Sequence, residues 1–275
     1  MLKICDRIDW DSKMPTRIVQ LTDLHLFADP DECLHGVPTR ASFCDVLQLV
    51  CSDSSGFDGM VITGDLTHDK RRETYEAIRE LLGSHLDICR MIPGNHDDRR
   101  LIREIFPELV SAGDGPLTFS TAIGGWRLIG LDSHDPGEVS GRIDSEQLRW
   151  LGEELASHSE EPTILFIHHP PVSVEVAWLD NIGLQEPEGL RELVTNSPQV
   201  KIVSAGHVHH EFAGRLGHAV VYTTPSTGVQ FVPAGDGPVY DPVPPGYRLF
   251  VLDDGEFQTE IVRLPQVKYP PVGEA

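Results

Sequence analysis

The stretch RIVQLTDLH (residues 17–25) joins a β-branched apolar run to two side chains that can bind a hard or borderline metal ion, Asp23 and His25. Four more apolar runs end in the same way, at MVITGD (60–65), ICRMIPGNHD (88–97), TILFIHHPP (163–171) and KIVSAGHVHH (201–210). In an α/β sheet the C-terminal ends of parallel strands meet at one edge, where binding sites are built. We therefore expect the five run ends to form a single site.

The first two thirds of the chain alternate strand-like runs with segments of helical periodicity. Strand-like runs lie at 17–21, 60–63, 88–92, 126–131, 163–167 and 200–205. Residues 43–50 and 70–82 each place their apolar side chains on one helical face, and Asp144 with Gln147 resembles a capping box that opens a helix to about residue 157. This alternation predicts an α/β protein with a largely parallel central sheet.

The pattern changes after His209. Strand-like runs at 219–223, 247–252 and 257–263 have no helical segment between them, which indicates an antiparallel or mixed arrangement. Residues 232–246 are too rich in Pro and Gly for a helix or a central strand, so we expect a long ordered loop there. We expect one domain over residues 1–264, because only a single fold would bring Asp23 and His209 together, and a loosely ordered tail over residues 265–275.

Composition narrows the possible partners. The chain has 22 Lys and Arg against 43 Asp and Glu, a net charge of -21, which argues against a nucleic-acid or anionic-membrane partner. The basic cluster Lys70-Arg71-Arg72 is expected to be a solvated helix face. Five irregularly spaced cysteines without a C-x-x-C pair indicate reduced, buried thiols. With no run long enough to span a membrane and no signal-peptide pattern, we expect a cytoplasmic protein.

The residue types at the run ends indicate a dinuclear metal centre. Asp23 and His25 would point to the same side of an extended segment, because side chains alternate along a strand. Asp65 follows a glycine, and its two carboxylate oxygens could bridge two ions. His207 and His209 repeat the i, i+2 spacing, so two ions roughly 3.5–4 Å apart could each take one of these imidazoles.

The ordered set D-x-H, G-D, G-N-H-D, H-H-P-P and G-H-x-H resembles the motifs of the calcineurin-like metallophosphoesterase superfamily. Further segments are similar to its bacterial 3′,5′-cyclic AMP phosphodiesterases, the class III cyclic nucleotide phosphodiesterases: LTDLHLF (21–27), Trp178-Leu179-Asp180, TTPSTGVQF (223–231) and PGYR (245–248). The resemblance implies a four-layer α/β/β/α sandwich with the dinuclear centre at the C-terminal strand ends.

The resemblance also assigns the site residues. The first metal would be held by Asp23, His25 and His209, the second by Asn95, His168 and His207, and Asp65 would bridge them. His169 is the alternative to His168. Asp65, Asn95 and His96 form the implied catalytic set; Asn95, His96 and His209 would contact substrate, and a protonated His96 could donate to the departing 3′ oxygen. The implied ions are iron with iron or manganese, with zinc as an alternative.

The implied reaction is hydrolysis of cyclic AMP to 5′-AMP, by in-line attack of a hydroxide held between the two metals. The same centre acting on glycerophosphodiesters or 2′,3′-cyclic nucleotides is the alternative. Phe231, Tyr240 and Tyr247 are candidates for stacking against the base. His210 has no assigned role and is expected to be a surface histidine.

Overall fold

The computed structural model describes residues 14–272. Its strands are β1 (Thr16–Leu21), β2 (Cys33–Leu34), β3 (Val37–Pro38), β4 (Gly59–Thr63), β5 (Cys89–Ile92), β6 (Phe119–Ile123), β7 (Trp126–Leu131), β8 (Thr163–Ile167), β9 (Val200–Ala205), β10 (Phe212–Leu216), β11 (Ala219–Thr223), β12 (Gln230–Phe231), β13 (Tyr240–Asp241), β14 (Gly246–Asp253) and β15 (Glu256–Arg263). The α-helices are α1 (Thr39–Ser52), α2 (Arg72–Leu82), α3 (Arg99–Ile105), α4 (Ser145–Ser157), α5 (Ala177–Asp180) and α6 (Glu188–Thr195), and a 3₁₀ helix spans Gly83–Ile88. Every strand-like run is therefore a strand.

The long strands form two mixed sheets. The first has the order β15-β14-β1-β4-β5, and the second the order β10-β11-β9-β8-β7-β6. Strands β1, β4 and β5 run parallel, as do β11, β9, β8 and β7, whereas β14, β15, β10 and β6 pair antiparallel to their neighbours. The prediction of one central sheet from periodicity is thus wrong, because the spacing of apolar residues does not say which sheet a strand joins.

The layers follow from where each apolar face is buried. Ile18, Phe166 and Phe250 belong to a core between the two sheets. Helices α1, α2 and α3 pack on the outer face of the first sheet, and α4 and α6 pack on the outer face of the second. This confirms the four-layer α/β/β/α sandwich.

Helix α4 begins where its sequence indicates. The Asp144 carboxylate accepts a hydrogen bond of 2.7 Å from the Gln147 backbone N–H, which caps the helix. The Gln147 side chain does not complete a capping box. Its amide instead bonds the backbone N–H and C=O of Asp132, each at 2.7 Å, and so ties α4 to the end of β7.

The C-terminal third contains two contacts that the sequence did not indicate. Within the expected loop 232–246, the short β13 pairs with β12 and places Tyr240 opposite Phe231. Residues 265–272 lie along the molecule: Lys268 Nζ is 2.8 Å from Asp45 Oδ2, and the Val272 N–H donates to the His35 carbonyl at 2.8 Å.

No helix within residues 14–272 is long and apolar enough to cross a membrane.

The cysteines only partly follow the expectation. Within residues 14–272 none forms a disulfide, which agrees with reduced thiols. Cys89 is buried and Cys44 is half-buried, but Cys33 and Cys51 are exposed, so the prediction of buried thiols is wrong for these two. Cys5 lies outside the described residues.

Candidate metal centre

The five run ends converge on a cleft between the two sheets. Asp23, Asp65 and Asn95 follow β1, β4 and β5 of the first sheet, whereas His168, His207 and His209 follow β8 and β9 of the second. All six side chains are buried. The site therefore exists only where the C-terminal edges of the two sheets face each other.

Asp23, His25 and His209 form one group whose ligand atoms lie within 4.8 Å of one another. The Nε2 atoms of His25 and His209 are 3.2 Å apart, and His209 Nε2 is 3.4 Å from Asp23 Oδ1. The other His209 nitrogen, Nδ1, is 2.7 Å from the Val229 carbonyl, which fixes the proton on Nδ1. His209 therefore presents Nε2 as a lone-pair donor to this group.

Asp65 lies between that group and a second one. Its Oδ2 is 3.4 Å from His25 Nε2 and 3.5 Å from His168 Nε2, and its Oδ1 accepts a 2.8 Å hydrogen bond from the His96 backbone N–H. The two Asp65 oxygens therefore have different protein surroundings. One oxygen faces both groups, and the other holds the loop that carries Asn95 and His96.

The two adjacent histidines after β8 have different surroundings. His168 donates through Nδ1 to the Thr63 carbonyl at 2.7 Å, which leaves Nε2 facing the cluster, 3.3 Å from Asn95 Oδ1. Both ring nitrogens of His169 are engaged, Nδ1 with Ser133 Oγ at 2.8 Å and Nε2 with the Val139 carbonyl at 3.0 Å. Of the two residues, His168 turns Nε2 toward the cluster, whereas both nitrogens of His169 have hydrogen-bond partners outside it.

His207 supplies the test of whether metal ions fit here. Its Nε2 is buried and has no hydrogen-bond partner among the described residues. A buried imidazole nitrogen without a partner is costly unless something binds it. Burial, with the nearby His168, lowers the pKa of His207 to about 3, so the ring is neutral, which is the form that binds metal.

The carboxylates have the complementary charge. Burial opposes ionisation of Asp65, but the neighbouring His168 and His25 imidazoles hold its pKa well below the usual value. His168 differs from His207: burial lowers its pKa, but Asp65 and Asp23 raise it to about 9. Two carboxylates, an amide oxygen and imidazoles without a thiolate form a donor set that suits two iron, manganese or zinc ions.

The backbone at the site is unusual. Positive φ angles occur at five of the predicted ligands, namely Asp23 (53°), His25 (46°), Asp65 (50°), His207 (71°) and His209 (51°). Asp23 and His25 lie past the end of β1, and their backbone is not extended. Alternation of side chains along a strand therefore does not explain why these two side chains lie close together. Such left-handed residues cost free energy and concentrate at functional sites.

Two residues of the site were missed by sequence reasoning. His68 Nδ1 is 3.3 Å from His25 Nδ1, and its ring stacks on His96 with centroids 4.8 Å apart at 19°. Lys70 is exposed, as expected of a solvated residue, but it precedes helix α2, and its Nζ also donates to the Asn95 backbone carbonyl at 3.0 Å. Both residues lie on the loop after β4, which runs beside the loop after β1 at His68 and beside the loop after β5 at Lys70.

Two further expectations need correction. Tyr247 is buried in the core under the first sheet, so it cannot stack on a base. His210 is buried rather than on the surface, with Nδ1 2.7 Å from the Val208 carbonyl. Phe231 and Tyr240 do line the cavity that opens beside Asp65 and His96.

Asp97, the last residue of the G-N-H-D motif, stabilises the loop that follows β5. Its carboxylate accepts hydrogen bonds from the Gly94 N–H at 2.9 Å and the Tyr75 hydroxyl at 3.1 Å. Gly94 itself packs against Asp65, where any Cβ would overlap the carboxylate.

Two facing mixed sheets with a His/Asp cluster at their C-terminal edges fit a phosphoesterase of the dinuclear metal class. Residues 16–211 match the family described as calcineurin-like phosphoesterase. The chain belongs to this family, which confirms the resemblance found in the motifs.

Among similar curated proteins, the 3′,5′-cyclic adenosine monophosphate phosphodiesterase CpdA of Pseudomonas aeruginosa is 34% identical over 92% of this chain and 91% of its own length. A 3′,5′-cyclic-nucleotide phosphodiesterase of Nostoc is 35% identical over 93% of this chain and 95% of its own. Among solved structures, a dimetal phosphatase from Danio rerio superposes with a TM-score of 0.65 at 14% identity, covering 94% of this chain and 100% of that one. The last comparison supports the fold alone.

Proposed function

We propose that this chain is a metal-dependent phosphodiesterase that hydrolyses 3′,5′-cyclic AMP to 5′-AMP. The observation that carries the metal chemistry is the position of Asp65 Oδ2, 3.4 Å from His25 Nε2 and 3.5 Å from His168 Nε2. One anionic oxygen between two groups of donors suits a pair of closely spaced ions. The choice of substrate is supported by full-length similarity to proteins named as cyclic AMP phosphodiesterases.

Each ion would have three ligands of its own and share Asp65. Asp23, His25 and His209 would hold the first, and Asn95, His168 and His207 the second. When bound, the two ions would supply the positive charge that attracts a phosphodiester to an acidic protein and would lower the pKa of a water that attacks phosphorus. We propose iron with a second iron or manganese, with zinc as the alternative.

The protein residues bind and orient the phosphate around the reacting atom. Asn95 and His96 follow β5 on one loop, whose position is fixed by the bond from the His96 N–H to Asp65. The His96 ring lies edge-on to His25 with centroids 4.9 Å apart and lines the cavity, so it can donate a proton to the departing 3′ oxygen. Lys70 Nζ supports the same loop through its hydrogen bond to the Asn95 carbonyl.

Metal analysis of protein purified without chelator, followed by turnover after reconstitution with iron, manganese or zinc, tests the proposal. Two ions per chain and a kcat/KM for cyclic AMP above that for glycerophosphodiesters and 2′,3′-cyclic nucleotides are expected. Asp65→Asn should abolish both activity and paired loading, whereas His85→Leu, at the opposite end of β5, should alter neither. A higher kcat/KM for a glycerophosphodiester would replace cyclic AMP as the substrate.

A further inference from the structure

The cavity beside the metal centre has a second wall, formed by aromatic side chains. The cavity has a volume of about 210 Å³ and is lined on one side by the ligands and His96, and on the other by Trp178, Phe231 and Tyr240. These three side chains are half-buried, unlike the aromatic residues of the core such as Phe166. Partly exposed aromatic faces in a cavity are available to a ligand.

The wall begins in direct contact with the centre. Phe231 stacks on His209 with ring centroids 4.4 Å apart and the planes 16° from parallel. Trp178 meets Phe231 edge-on at 5.3 Å, and Tyr240 lies at 6.0 Å from it. A group joined to a phosphate at the centre by one sugar ring would therefore reach these side chains.

The wall is held in place by local structure. β12 and β13 pair Phe231 with Tyr240, and the Tyr240 ring stacks on His35 at 4.0 Å, with its hydroxyl 2.7 Å from His35 Nε2. Trp178 lies on the one-turn helix α5, which ends at Asp180. The Asp180 carboxylate accepts hydrogen bonds from Ser173 Oγ and the Val174 N–H, both at 2.7 Å. Two separate segments thus present aromatic rings to one cavity.

We propose that Phe231, Trp178 and Tyr240 form a subsite for the nucleobase, with Phe231 as the specificity-determining residue. This proposal rests on the proposed function, since it places the phosphate at the metal centre. A base is planar and uncharged, so it gains from aromatic contact, typically about tenfold or more in affinity per stacked base. A glycerophosphodiester has no group that would use this wall.

Phe231→Leu tests the subsite, because it keeps an apolar side chain of similar size and removes the ring. The KM for cyclic AMP should rise roughly tenfold with little change in kcat, the pattern expected when ground-state and transition-state binding are lost equally. Independently of turnover, the ratio of the affinities for AMP and ribose 5-phosphate, measured by calorimetry on metal-loaded protein, should fall by a similar factor. Phe257→Leu, on β15 and packed edge-on against Trp126 at 6.3 Å, is the matched control and should leave the ratio unchanged.

The outcomes separate the subsite from the proposed function. Equal losses for AMP and ribose 5-phosphate, or no change in their ratio, would overturn the subsite while cyclic AMP turnover by the unmodified protein still stood. Absence of that turnover would overturn the proposed function, and the AMP to ribose 5-phosphate ratio would then still decide whether the wall binds a base.

Discussion

A histidine that binds an ion through one ring nitrogen is oriented by the hydrogen bond that its other ring nitrogen makes. His168 and His209 use backbone carbonyls for this purpose. His25 differs, because its Nδ1 faces His68 Nδ1 at 3.3 Å. Burial and the neighbouring His96 lower the pKa of His68, which favours its neutral form. A neutral His68 can accept a hydrogen bond from His25 Nδ1–H. His68 thereby directs His25 Nε2 toward Asp65.

His68→Leu removes this acceptor and should weaken metal binding by about 10–100-fold, the usual effect of removing a partner of a ligating histidine. The measurement is chelator competition on the loaded protein, read as ions retained per chain. His85→Leu serves as the control. Unchanged ion retention in His68→Leu would mean that the contact between the two histidines has no role in binding.

Gly94→Ala should act on the same site through backbone contact. An added Cβ would overlap Asp65 Oδ1 and the Asp65 amide nitrogen, so the shared carboxylate must move. We expect loss of at least one ion per chain and a fall in kcat/KM of two orders of magnitude or more, as misplacement by about 1 Å costs around 100-fold. Gly115→Ala, where the backbone is not left-handed and the added atom meets nothing within 4 Å, tests whether a glycine substitution alone has this effect on turnover; equal losses would contradict the explanation.

Much of this site could be predicted from residue types, but not its geometry. Asp23 and His25 were identified because both can bind metal after an apolar run. Their positive φ angles could not be predicted, because non-glycine residues rarely adopt this conformation and neither residue type requires it. His68 was overlooked for a related reason: its role depends on two loops lying side by side, where the His68 N–H donates to the Leu26 carbonyl at 2.8 Å.

At the scale of elements, local signals decide where helices and strands lie, and long-range pairing decides what they form. Helix α4 begins at Asp144 as its sequence indicates, because a side-chain cap acts within one turn. Strand β11, by contrast, pairs in parallel with β9, although β10 lies between them in the sequence. In the sheet β10 pairs antiparallel with the other edge of β11. Nothing in the apolar run 219–223 encodes that neighbour, so the sheet order could not be read from it.

Asp144→Ala should remove the cap of α4 and lower the free energy of unfolding by about 1 kcal/mol, because the Gln147 N–H loses its acceptor. The midpoint of thermal unfolding should fall by roughly 2–4 °C, measured by calorimetry. Because α4 is on the outer face of the second sheet, metal content should stay the same. Asp144→Asn, which keeps an accepting oxygen, should recover most of the loss; equal destabilisation by both variants would point to a different cause.

At the scale of the whole molecule, the centre joins two sheets that otherwise meet through an apolar core. Phe166 of the second sheet packs edge-on against Phe250 of the first, with centroids 6.1 Å apart. Toward the C-terminal strand ends this core gives way to the proposed ligands, three from each sheet plus His25 beside Asp23. Bound ions would therefore connect the two halves at the end where apolar packing stops.

Metal removal should destabilise the whole fold, not only the active site. Ions that bind the native state alone stabilise it by about 2.7 kcal/mol per site at a concentration 100 times the Kd, so chelation should lower the unfolding midpoint by roughly 5–10 °C. The comparison is between calorimetric scans of unmodified protein before and after chelation, with ion loss verified by elemental analysis. Asp65→Asn, in which the shared oxygen no longer carries a charge, should unfold near the chelated midpoint and respond little to chelator. If verified removal of both ions leaves the unmodified midpoint in place, the two sheets are held together by the Phe166–Phe250 core alone.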